Sequence, residues 1–250
     1  MAIKRVYVIR PPWRRRRQLS DGRRRRAVRV RLSACQRRRR YLAWSANAPL
    51  GVGGTITSTT AWELLREVPA SASVALDVGC GEGWLVRELN GMVHRVIGLD
   101  PDEETVANAR SHGPTGGAEY IVGDFLTYPF QPASFDLITS VAALHHMDEE
   151  AALRRMAELL RPRGTLGVVG LGRSRLPADI VWELAGAVAT RAHKLTKSYW
   201  ETPAPKVWPP PHSYDELRRM SGLVLPGRQF KRRAVWRYVI TWTKPGTGLL

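Results

Sequence analysis

Apolar and polar positions along this chain repeat with two periods, and their alternation predicts the architecture. Trp62, Leu65 and Val68 recur at helical spacing. Val74 to Val78 is an apolar run broken only by Asp77; it enters a glycine-rich turn, then a helix carrying Leu85, Val86 and Leu89 that Gly91 closes, then a strand from Arg95 to Leu99. A helix from about Glu103 to Ser111, a short strand at Tyr120 to Val122 and a strand at Phe135 to Ser140 follow. The next helix runs from about Glu149 to Leu160, with Asp148 as N-cap and Pro162 and Gly164 as its stop. Thr165 to Leu171 reads as a fifth strand, Asp215 to Met220 as a helix, and Gln229 to Val235 and Arg237 to Thr243 as late β-runs. Strands alternating with helices imply a parallel sheet and an α/β fold. No internal repeat interrupts the pattern.

Charge changes the picture at the N-terminus. Residues 1–50 hold 17 of the 39 lysines and arginines but only Asp21 among the acids, whereas residues 51–250 carry 22 bases and 21 acids, a net of +1. The first fifty residues therefore read as an Arg-rich, disordered leader with too few apolar residues to build a core. Two readings of it stand: an electrostatic arm for RNA, DNA or acidic lipid, or an incidental extension from a start codon placed too far upstream or a shifted reading frame. The Gly-, Thr- and Ser-rich stretch from Ala46 to Thr60 reads as a linker into one domain spanning 51–250. With only Cys35 and Cys80, neither a disulfide framework nor a zinc site is expected, and a reducing compartment fits. No apolar run approaches the roughly 20 residues needed to span a bilayer. The expectation is a soluble, cytoplasmic protein.

The densest chemistry lies in Ala75-Leu76-Asp77-Val78-Gly79-Cys80-Gly81-Glu82-Gly83, a strand running into three alternating glycines and a helix. Such glycines let the backbone turn sharply and approach a ligand. The spacing is G-x-G-x-G, unlike the G-x-G-x-x-G dinucleotide fingerprint, and an acid stands two positions before it. A carboxylate there would repel a pyrophosphate but accept hydrogen bonds from an ammonium group. Val96-Ile97-Gly98-Leu99-Asp100 then ends in an acid 17 positions after Gly83, near where such folds place a ribose-binding carboxylate. Val122-Gly123-Asp124-Phe125 offers a carboxylate for an exocyclic amine and an aromatic face for a ring.

These motifs resemble the class I S-adenosylmethionine-dependent methyltransferases, whose first motif has the form D-x-G-x-G-x-G. The resemblance covers residues 62–172 and extends to Leu159-Leu160-Arg161-Pro162-Arg163-Gly164, similar to the family's L-x-P-G-G turn with Arg163 in place of the first glycine. It implies a Rossmann-like, seven-stranded, mostly parallel sheet with an antiparallel last strand and helices on both faces, the late β-runs at 229–244 closing it. It also implies S-adenosylmethionine as cofactor, with S-adenosylhomocysteine as product. By the same resemblance the cofactor lies against Asp77, Gly79, Cys80, Gly81, Gly83, Asp100, Pro101, Asp124, Phe125 and Val141. Asp77 is then at the methionine end, Asp100 at the ribose hydroxyls and Asp124 at the adenine.

The segment Phe135 to Met147 borders the transferred methyl group in the family and ends in Leu144-His145-His146, a sequence common in its ubiquinone-biosynthesis-like, type 11 branch. Either histidine could serve as general base near neutral pH, or both are structural and proximity alone drives transfer. No metal is expected, because adjacent residues of an extended loop point apart. Residues 173–228, with Trp182, Tyr199, Trp200, Trp208 and Pro209-Pro210-Pro211-His212, read as a substrate-side cap or as a small packed helical unit. Three functions remain open. One is methyl transfer to a small-molecule acceptor, which the near-neutral domain favours. The second is methylation of RNA or protein using the basic leader, the sole route to nucleic acid, although Ser140-Val141-Ala142-Ala143 stands where base N-methyltransferases carry an Asn-Pro-Pro-Tyr-like tetrapeptide. The third is cofactor binding without catalysis.

Overall fold

The structure is a computed structural model that describes residues 56–246, apart from 113–115, 176, 178, 183, 187, 189–190, 192–207 and 234–235. The arginine-rich leader with Cys35, and Tyr199 and Trp200 of the late segment, lie outside the described residues. The elements in order are α1 (Ile56–Arg66), β1 (Val74–Val78), α2 (Trp84–Leu89), β2 (Arg95–Asp100), α3 (Glu103–Ser111), β3 (Ala118–Val122) and β4 (Phe135–Val141). A 3₁₀ turn (Leu144–His146), α4 (Glu149–Leu159), β5 (Leu160–Leu171), α5 (Tyr214–Val224), β6 (Gln229–Arg233) and β7 (Arg237–Thr243) complete it.

The seven strands form one sheet in the order β3-β2-β1-β4-β5-β7-β6. β1 to β5 pair in parallel, and β7 lies antiparallel between β5 and β6, so six strands share one direction. Central strands are buried on both faces, which is why they read as continuous apolar runs. One face packs Leu76, Val78, Ile138 and Val168 against α4 and α5; the other packs Ala75, Val96 and Leu137 against Leu85, Val86 and Leu89 of α2. Side-chain caps set the helix starts: Asp102 accepts from the Thr105 amide at 2.7 Å, Asp148 from the Ala151 amide at 3.0 Å, and Ser213 forms a capping box with Glu216.

β5 begins five residues before the expected Thr165, because Leu160 still pairs with Phe135 and the Arg163 amide donates to the Lys244 carbonyl at 2.9 Å. Arg163, which replaces the glycine of the family turn, sits there at φ 65°. The chain reverses direction across the sheet between β1 and β4, β2 and β3 lying on one side and β5 on the other. A crevice outside the carboxyl ends of β1 and β4 is where open sheets of this kind take ligands.

Candidate functional site

The three glycines after β1 adopt φ values of 69°, 50° and 73° at Gly79, Gly81 and Gly83, in the region that suits glycine. Their faces differ. A Cβ on Gly79 would stand 2.2 Å from the Cβ of Ala143, and one on Gly83 would stand 2.5 Å from the Tyr120 ring, while one on Gly81 would meet nothing within 4 Å. Two glycines thus serve the protein's own packing, and the middle one opens on free space. Cys80 between them turns its thiol into the core beside Gly98, where burial first, and then the charges of Asp77 and Asp100, push its pKa up. What Cys80 offers the crevice is backbone.

Asp100 ends β2 and fixes that turn. Its Oδ2 accepts from the Gly81 amide at 2.9 Å and its Oδ1 from the Asp102 amide at 3.1 Å, with Pro101 exposed beside it. On the neighbouring strand Asp77 is 2% exposed and accepts from the Thr139 hydroxyl at 2.7 Å. Burial pushes its carboxyl up to about 7, the nearby charge of Asp100 adding to the rise and the Thr139 bond opposing it. Asp124 is exposed after β3, its Oδ1 taking the Leu126 amide at 2.6 Å. The neighbouring Phe125 ring packs into the core, with the Arg155 guanidinium 5.8 Å from its centroid and Arg155 Nε donating to the Phe125 carbonyl. Val141 ends β4 half-buried against the core.

His145 and His146 stand on a 3₁₀ turn, not an extended loop, and their rings lie 4.1 Å apart. His145 is buried, and burial, with the charge of His146 second, lowers its pKa to about 4; its Nδ1 finds no hydrogen-bond partner among the described residues. His146 is exposed; partial burial lowers its pKa and the charge of Asp100 opposes this, which puts the histidine turn within electrostatic reach of the crevice. Among the described residues no three His, Cys, Asp or Glu side chains are grouped as a metal would need. Of the late aromatics, Trp182 stacks under the Arg232 guanidinium at 4.9 Å, and Trp208 packs edge-on to Trp236 with centroids 5.9 Å apart.

One pair escaped the sequence reading. His212 Nδ1 lies 2.5 Å from Oε2 of Glu149, the first residue of α4, across 63 positions of chain. Glu149 is buried and its carboxyl is pushed up by burial, the His212 bond working against the rise. Glu149 Oε1, Ser140 Oγ, His145 Nδ1 and Tyr238 Oη are all buried and without hydrogen-bond partners among the described residues. The only sequence signals were a lone histidine after three prolines and an acid that looked like an ordinary first-turn residue.

The family model described as a methyltransferase domain matches residues 76–168, from β1 into β5. An uncharacterised methyltransferase of Mycobacterium bovis is 35% identical over 179 residues, covering 71% of this chain and 90% of that protein. The chain belongs to the class I S-adenosylmethionine-dependent methyltransferases. This methyltransferase is also 35% identical over 115 residues to the ubiquinone biosynthesis O-methyltransferase of Xylella fastidiosa, 44% of this chain and 46% of that one. An S-adenosylmethionine-dependent methyltransferase structure from Mesorhizobium loti shares the fold with a TM-score of 0.51 at 19% identity, covering 73% of this chain and 97% of that one. The enzyme's cofactor is S-adenosylmethionine, and the residues present fit it: an uncrowded Gly81, a fixed carboxylate at Asp100, and at Asp77 a buried acid on which no cation acts among the described groups. Among the described residues no helix is long and apolar enough to cross a membrane.

Proposed function

We propose that this methyltransferase acts on a small-molecule acceptor bound at the carboxyl ends of β4 and β5, beside residues 208–213 that lead into α5. The observation that carries the reading is the set of four buried, unpartnered polar atoms on Ser140, His145, Glu149 and Tyr238. Buried polar groups are almost always satisfied, so such atoms call for a ligand or water, and small-molecule sites characteristically set a few polar groups in an otherwise apolar lining. The near-neutral charge of residues 51–250 points the same way.

The cofactor supplies a methyl group already activated on a sulfonium, so the protein's task is chiefly alignment. In this reading Asp77 receives the ammonium of the methionine end, Asp100 the ribose hydroxyls and Asp124 the adenine amine. The turn from Gly79 to Gly83 approaches with backbone, Phe125 supports Asp124 from the core, and Val141 borders the methyl. Residues 51–250 form the catalytic unit, which works in the cytoplasm without the leader. The test is transfer from radiolabelled S-adenosylmethionine by the full chain to three pools: small phenols and carboxylic acids, total RNA, and protein. Label in the first pool supports the proposal; label confined to RNA or protein overturns it.

A further inference from the structure

Resting on that small-molecule reading, we infer that His212, held by Glu149, is the catalytic base that takes the proton of a hydroxyl acceptor, and that the buried His145 is not.

The geometry is that of an oriented imidazole. Nδ1 faces the Glu149 carboxylate at 2.5 Å, so Nε2 points away from it on a side chain 39% exposed while its partner is 1% exposed. Glu149 occupies the first turn of α4, where a helix start favours a negative charge. With the proton on Nδ1 donated to that carboxylate, Nε2 keeps a lone pair for an incoming proton. The backbone fixes the ring as well. The Arg173 amide, just past β5, donates to the His212 carbonyl at 2.9 Å, Arg173 bridges to Ser213, and Ser213 is the capped start of α5. His212 is therefore pinned where β5 ends, on the acceptor side of the sheet.

His145 is the poorer candidate on the same grounds. His145 is buried with an unpartnered Nδ1, so no carboxylate holds that nitrogen among the described residues. Its low proton affinity, about 4, leaves it a weak base at neutral pH. Charged and titratable groups near the dyad include Asp148 beside Glu149, Tyr238 of β7 with Tyr214 of α5 behind it, and Arg173, whose amide holds the His212 carbonyl.

The step balances without a further reactant. The acceptor O–H bond breaks and its proton goes to Nε2; the pair left on oxygen forms the bond to the methyl carbon; the pair of the departing carbon–sulfur bond stays on sulfur. The acceptor class is thus a phenol or comparable hydroxyl.

Two measurements on the full chain decide it. In ¹⁵N-histidine NMR at pH 8 on the chain loaded with S-adenosylhomocysteine, His212 should carry its proton on Nδ1, and Glu149→Ala should abolish that preference. A proton on Nε2, or a tautomer indifferent to Glu149→Ala, overturns the assignment. With the small phenol pool, His212→Asn should lower kcat about 100-fold or more while the affinity for S-adenosylhomocysteine stays within about twofold. An unchanged kcat overturns it. Label appearing only in RNA or protein sinks the acceptor reading instead, and the NMR arm still decides whether the dyad exists.

Discussion

A carboxyl group buried as deeply as Asp77 keeps its proton to about pH 7, because the interior disfavours its charged form more than the Thr139 bond favours it. Below that pH an arriving ammonium must displace the proton; above it the carboxylate is already charged. Affinity for S-adenosylhomocysteine should therefore rise with pH up to about 7 and then level off, as calorimetry between about pH 5.5 and 8.5 would record. Asp77→Asn should flatten that profile and weaken binding on the order of 10- to 100-fold. The unliganded fold should behave oppositely. Its unfolded chain ionises near pH 3.9, so stability falls as pH climbs from there through about 7. The glycines give a second residue-scale test. Gly79→Ala meets Ala143 and should destabilise the fold by about 1–3 kcal/mol, whereas Gly81→Ala meets no protein atom and should cost the fold only the roughly 1–2 kcal/mol of its left-handed backbone while also lowering cofactor affinity. The three glycines and three acids were legible because a strand, a turn and a helix place them locally. Nothing local announced that the Phe125 ring turns into the core, or that Glu149 meets a histidine 63 positions on.

At the scale of elements, alternation of apolar runs located all seven strands, and α3 matches its expected bounds residue for residue. The misses have physical causes. β5 starts early because pairing with Phe135 and with Lys244 holds Leu160 to Arg163 extended, a tertiary effect that periodicity does not carry. The histidine segment was expected to be extended, yet it closes a 3₁₀ turn, with the His146 amide donating to Ala143 at 3.0 Å and the Met147 amide to Leu144. That turn is what brings the two rings together. In the β5 turn, Arg163 holds a left-handed backbone, which costs an L-residue roughly 1–2 kcal/mol. Arg163→Gly recovers part of that, less the roughly 0.5–1 kcal/mol that glycine loses on ordering. The expected gain in Tm is at most about 2–4 °C, readable by calorimetry with cofactor affinity unchanged.

At the scale of the molecule, the leader's charge of +16 is joined to a domain of +1, so the two should be separable in their effects. A chain beginning at Gly51 should bind S-adenosylhomocysteine with the same Kd as the full chain, and raising the salt concentration should leave both values unchanged, since screening acts on exposed charge. A lower affinity on shortening would tie the arginines to the cofactor site. The sheet order carries a consequence for synthesis. β6 has β7 as its sole neighbour among the described strands, and β7 is also what covers the edge of β5, although it follows both in sequence. While the ribosome is still extending the chain, the five parallel strands can assemble and the crevice can take shape, but β5 keeps a bare edge and β6 has nothing to pair with. The sheet closes only when β7 emerges and threads between them. Nascent chains halted before Arg237 should therefore be the form most prone to sticking to one another and to engaging chaperones.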